Sequence, residues 1–134
     1  MRIDIEKTSE DFRKKITRRY FAFLEKRSVT ATDYIQALKE GVFGYLENNT
    51  LLIMGVAYNV SYILGASKTD IYDIIRVNQI YGIEPDEGTI FAITRGDDYL
   101  FFKPNDAAVY FFCRDTEEDI KVAEDYKAFT EILK

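Results

Sequence analysis

Apolar positions gather late in the chain. Three runs, residues 89–94, 99–102 and 107–113, are separated by two polar spacers, Gly96-Asp97-Asp98 and Pro104-Asn105-Asp106. The runs are rich in Ile, Val, Phe and Tyr, whose bulk suits a pleated, half-buried surface, and they are too short for helices. Gly accepts a positive φ, Pro presets φ, and Asp and Asn bond their own backbone, so the spacers read as hairpin turns. The pattern predicts a three-stranded β-meander with everything else packed around it. In the third run Val109, Phe111 and Cys113 share one face, while Ala108, Tyr110 and Phe112 share the other. Both faces are apolar, which predicts an interior strand covered on both sides. A face that the chain leaves uncovered becomes a candidate contact surface.

Before the meander the period changes to that of helices. Residues 1–7 alternate Ile3 and Ile5 with charges, which suits a short edge strand or a lead-in. Residues 8–27 predict a helix, with Thr8 and Asp11 arranged as a capping box and with Phe12, Ile16, Tyr20, Phe23 and Leu24 on one face. Its opposite face carries Arg13, Lys14, Arg18 and Lys26 and reads as solvated. Residues 28–40 predict a second helix, capped by Thr30 or Thr32, with Ile35 and Leu38 inward. Residues 42–46 and 50–54 flank Glu47-Asn48-Asn49 and predict a hairpin, a helix through Leu46 being the alternative. Residues 55–61 are ambiguous, and Tyr62-Ile63-Leu64-Gly65 reads as a short strand. Thr69 is the expected cap of a helix over residues 70–81, with Ile71, Ile74, Ile75 and Val77 buried and Gly82 ending it. After the meander, residues 114–119 read as a polar connection. Residues 124–134 read as a closing helix with Tyr126, Phe129, Ile132 and Leu133 on one stripe.

Composition narrows the function classes. The 134 residues predict one domain, and 47% hydrophobic content with 15% aromatics is ample for a core. No apolar run approaches the roughly 20 residues of a membrane span, and the first residues carry no signal-peptide core. A single cysteine excludes an intrachain disulfide, and together these features predict a cytoplasmic protein. There is no histidine, which removes the commonest general base and metal ligand and excludes Ser-His and Cys-His catalysis. Zinc sites of the usual Cys/His kind are excluded with them.

Charge is unevenly spread. Residues 1–67 carry 10 Lys/Arg against 8 Asp/Glu, and residues 68–134 carry 8 against 15. An acidic surface repels phosphates, so nucleic-acid binding is not expected. It suits a basic protein partner, whose opposite field steers encounter. Asp97-Asp98 and Glu117-Glu118-Asp119 are the dense carboxylate groups, and their spacing matches no EF-hand loop. No cofactor and no metal site is expected. Cys113, at the end of an apolar strand, reads as a small hydrophobe.

The order of elements carries a resemblance. Tyr20-Phe21-Ala22-Phe23-Leu24 lies on the first helix, and Tyr62-Ile63-Leu64-Gly65 precedes a helix opening Thr69-Asp70-Ile71. Gly88-Thr89-Ile90-Phe91-Ala92-Ile93, Gly96-Asp97-Asp98-Tyr99-Leu100-Phe101-Phe102 and Val109-Tyr110-Phe111-Phe112 follow. Val122-Ala123-Glu124-Asp125-Tyr126-Lys127-Ala128-Phe129 then closes the chain. This resembles the SUKH superfamily, which includes many bacterial immunity proteins and a yeast cell-wall-synthesis regulator. The likeness covers residues 62–133 and, loosely, the first helix. It implies an α+β fold, a central and mostly antiparallel sheet flanked by helices. It also implies a non-catalytic, protein-binding role, typically neutralisation of a cognate toxin that is often a nuclease, and it carries over no catalytic residues. An immunity protein built on this chain would present Asp97, Asp98, Asp115, Glu117, Glu118 and Asp119 as an acidic rim, with exposed aromatics as anchors. The alternatives are a regulatory or scaffold module of the same fold, and an enzyme that works with carboxylates or Tyr alone.

Overall fold

Among the residues that the computed structural model describes, 1–8 and 17–134, seven strands and four α-helices make up an α+β fold. In chain order these are α1 (Arg18–Lys26), α2 (Thr32–Lys39), β1 (Gly44–Tyr45), β2 (Thr50–Ile53), β3 (Val56–Ile63), α3 (Ile74–Ile80), β4 (Thr89–Thr94), β5 (Tyr99–Phe102), β6 (Val109–Cys113), β7 (Glu118–Ala123) and α4 (Tyr126–Ile132). The sheet runs β1-β3-β4-β5-β6-β7, with β2 paired to the free half of β3, and all these strand pairs are antiparallel.

The meander forms where the apolar runs place it, but it has four strands. Residues 114–119 are not simply a connection: the chain turns at 114–117 and returns as β7, with Phe111 opposite Ile120 and Phe112 opposite Asp119. Glu118, Asp119 and Lys121 are exposed there, as edge strands are in many proteins to discourage stray pairing, and they masked the strand. The predicted hairpin around Glu47-Asn48-Asn49 is also corrected. Strands β1 and β2 pair side by side with one long strand, β3, so residues 55–61 and the short strand after them are a single element. The reversal lies at Met54-Gly55, where both residues have positive φ (51° and 81°), the geometry of a tight two-residue hairpin turn.

Helix boundaries shift for local reasons. Of the first predicted helix, Asp11, Phe12, Arg13, Lys14 and Ile16 lie outside the described residues. Thr8 donates its hydroxyl to the Asp4 carbonyl (3.0 Å) and accepts from the Tyr45 N–H (3.2 Å), while the expected capping box with Asp11 lies outside the described residues. Neither Thr30 nor Thr32 caps α2, whose N-cap is Ala31. Thr69 does not cap the next helix. A 3-10 turn at Asp70–Tyr72 comes first and Asp73 is the N-cap, its carboxylate accepting from the Arg76 N–H at 3.1 Å. That turn swings Ile71 outward to 56% exposure, against the expectation that it is buried. Asp125 caps α4, accepting from the Ala128 N–H at 2.7 Å, and Ile132 lies 42% exposed rather than on the buried stripe.

One face of the sheet is closed by α2 and α4. Phe91 stacks on Phe102 (4.2 Å between ring centres, 14° between planes), and Tyr34, Tyr126 and Phe129 pack against this pair. The fully buried Asn78 ties α3 to β4: its amide donates to the Ile74 and Ile90 carbonyls, and its oxygen accepts from the Ile90 N–H. Arg27 anchors the end of α1 by donating to the Gly88 and Ile83 carbonyls (2.8 and 2.6 Å). Gly65 has no Cβ because the Phe43 ring lies where one would sit, 2.3 Å away.

Candidate partner-binding face

The second face of the sheet is only half closed. Register puts Tyr62, Ile93, Tyr99 and Phe112 in line across four strands, with Phe101 opposite Tyr110 beside them. At one side Tyr72 of the 3-10 turn stacks on Tyr62 (4.2 Å, 11°) and meets Tyr45 edge-on. At the other side α3 stops at Ile80, and Tyr81 leans towards Tyr99 with ring centres 5.7 Å apart. Beyond that point the loop at Ile83, Glu87 and Gly88 lies against Phe101, which is buried, while its neighbours on this face are less covered. Tyr99, Tyr110 and Phe112 are therefore half-buried, which corrects the expectation that β6 is covered on both sides. The seven-residue α3 lacks the first turn of the helix expected over residues 70–81, where a 3-10 turn and the Asp73 cap stand instead, and it ends within a residue of the expected position.

A concave surface results. Its floor is the parallel pair Tyr99 and Phe112, 4.9 Å apart and 16° from coplanar. A cavity of about 440 Å³ lies over this floor among Tyr81, Ile83, Asp97 and Arg114. It adjoins a smaller one of about 140 Å³ that shares Ile83, Tyr99 and Phe112 and is bounded by Phe101, Glu87 and Asp119. The two form one groove with carboxylates at both ends.

The six predicted rim residues mostly converge. Because neighbouring strands are antiparallel, the β4–β5 and β6–β7 turns fall at the same end of the sheet. Arg114 links them: its guanidinium pairs with Asp97, and its backbone N–H donates to the Asp98 carboxylate at 2.8 Å. Asp115 and Glu117 lie in the second turn, where Glu117 adopts a φ of 55°. Asp119 reaches the groove itself, with the Lys103 ammonium 4.0 Å away. Glu118 departs from the group, since it stands opposite Cys113 and so on the other face of the sheet. Glu87, in the loop before β4, belongs to the groove and was not foreseen; the acidic stretch Glu84-Pro85-Asp86-Glu87 was its only signal.

The electrostatics are one-sided. Residues 84–119 hold ten carboxylates against three cations. Burial, then the nearby Asp119 and Glu87 charges, push the Tyr99 phenol up to about 12, so it stays a protonated donor. Burial and Asp97 raise Tyr81, with Arg114 opposing. Below the groove Tyr110 donates to Asp106 at 2.6 Å, which holds that carboxyl below its usual range, and the Lys103 ammonium lies 4.2 Å from the Tyr110 ring centre. Cys113 is buried at the end of β6, and hydrogen bonding from Thr116 holds its thiol below the ordinary range. Among the described residues no three His, Cys, Asp or Glu side chains gather to hold a metal ion, and no helix is long and apolar enough to cross a membrane.

No family model, no curated protein and no solved structure matches the chain. The groove therefore has to be interpreted from its own chemistry. Aromatic rings offer large, stiff contact area, and carboxylates at both ends select positive charge. That combination suits contact with a positively charged group.

Proposed function

We propose that this chain is a non-catalytic binding protein of the immunity type, SUKH-like in fold, that neutralises a basic protein toxin. The single observation that carries the proposal is the uncovered aromatic floor rimmed by carboxylates. Hot spots in protein interfaces are typically buried aromatic anchors ringed by polar groups, and Tyr81, Tyr99 and Phe112 have that disposition here. A toxin acting on nucleic acid must present cations to phosphate, and an acidic face competes for those cations. The resemblance of residues 62–133 to immunity proteins points the same way.

The test is calorimetric titration with the C-terminal domain of a toxin encoded beside this gene. We expect a saturable complex whose affinity falls as salt is raised, because the encounter is electrostatic. Tyr99→Ala with Phe112→Ala would weaken it by about 2 kcal/mol or more, the size expected of central anchors. A neighbouring toxin that gives no heat, or a complex indifferent to both substitutions, overturns the proposal.

A further inference from the structure

We infer that the groove receives an arginine side chain of the partner, its guanidinium lying flat on the Tyr99–Phe112 pair and its N–H groups meeting Glu87 and Asp119. This rests on the partner-binding reading above and says which chemical group that partner inserts.

Three features favour a planar cation. First, the floor is flat, two rings 16° from parallel, and Tyr81 stands against Tyr99 at 56° to form a side wall. Guanidinium is planar and weakly hydrated and stacks on such rings, whereas an ammonium is a strongly hydrated point charge. Second, the carboxylates at the two ends differ in what they already hold. Asp97 is paired with Arg114 of this chain. At the other end Asp119 has Lys103 at 4.0 Å, and Glu87 accepts a hydrogen bond from the Glu84 N–H (3.0 Å) and feels the Arg27 guanidinium at a distance, with no direct ion pair among the described residues. The less directly paired carboxylates therefore sit at the Glu87–Asp119 end. Third, Ile83 is shared by both parts of the groove, so the stem of an entering arginine meets apolar surface while its head reaches the acids.

The inference is tested without a toxin. N-acetyl-Gly-Arg-Gly-amide and its lysine and citrulline counterparts are titrated against the full chain in low salt, following the ring resonances of Tyr99 and Phe112 by NMR. We expect saturable shifts with the arginine peptide at a Kd on the order of 1–10 mM, in keeping with one side chain's worth of contact. The lysine peptide should bind about threefold or more weaker, and the uncharged citrulline peptide should leave the rings unmoved. Glu87→Gln with Asp119→Asn should weaken the arginine peptide about fivefold while leaving the fold unchanged, since both carboxylates are exposed. Equal shifts with arginine and citrulline, or arginine shifts confined to the Asp97–Asp98 turn, overturn the inference. Peptide binding alongside a toxin that gives no heat would instead remove the immunity reading and leave the arginine groove standing. A toxin complex insensitive to the double carboxylate variant would do the reverse.

Discussion

Asp73 is 3% exposed and serves three donors: the Tyr20 hydroxyl, the Ser67 N–H at 3.0 Å and the Arg76 N–H at 3.1 Å. It thereby joins α1, the turn after β3 and the start of α3. Asp73→Ala removes a helix cap, worth about 1 kcal/mol, and leaves a buried phenol without its acceptor, worth a further 1–3 kcal/mol or so. We expect a loss of about 2–4 kcal/mol in urea unfolding, with Asp73→Asn losing roughly half as much because the amide oxygen still caps. An alanine variant within about 0.5 kcal/mol of the parent would refute this account of the junction. Nothing in the sequence singled out Asp73. Thr69, four residues earlier, was the stronger local cap signal, and the 3-10 turn between them was set by packing of Tyr72 on Tyr62, a contact between distant segments.

The β2–β3 hairpin shows how an element can be legible in composition and hidden in register. Its apolar residues are evident, but by residue type the better turn formers are Asn48-Asn49. The chain reverses at Met54-Gly55 instead, because that register lets Leu51 and Ile53 share the buried face with Tyr58, whose ring lies 4.6 Å from Phe111. Met54 is left at a φ of 51° and 90% exposed. Left-handed backbone costs a non-glycine residue roughly 1 kcal/mol, less for Asn. Met54→Asn therefore matches the turn type and should stabilise the protein by about 0.5–1 kcal/mol, read as a higher urea midpoint with unchanged slope. A lower midpoint would show that Met54 makes contacts its exposure does not suggest. Strand β7 was hidden for the opposite reason: its charges were those of a loop, and only the sheet edge explains them.

Across the fold, several phenols are buried while the carboxylates of the β6–β7 turn are exposed. Burial raises Tyr34 and Tyr126; burial with the Asp73 bond raises Tyr20; the Tyr45 bond with burial takes Tyr72 to about 12. Unfolded tyrosine ionises near pH 10 or so. A folded value above the unfolded one means that the unfolded chain loses protons first as pH climbs, so stability is complete below about pH 10 and falls above it. We expect a constant urea midpoint from neutrality to that point and a steep decline beyond it. Late phenolate absorbance should appear together with loss of circular dichroism. All ten tyrosines titrating reversibly near pH 10 in a folded chain would contradict the packing described. The meander and its acidic character were readable from residue order. The groove was not, because which side of the ribbon stays bare depends on how α3 and the loop after it pack across strands distant in sequence. One consequence concerns change over time. The β4–β5 and β6–β7 turns hang from the same end of the ladder, and Asp97, Arg114, Asp115 and Glu117 contribute nothing to the interior. Descendants can rewrite those tips, altering what the protein grasps, as long as the reversals themselves and the tie between them are kept.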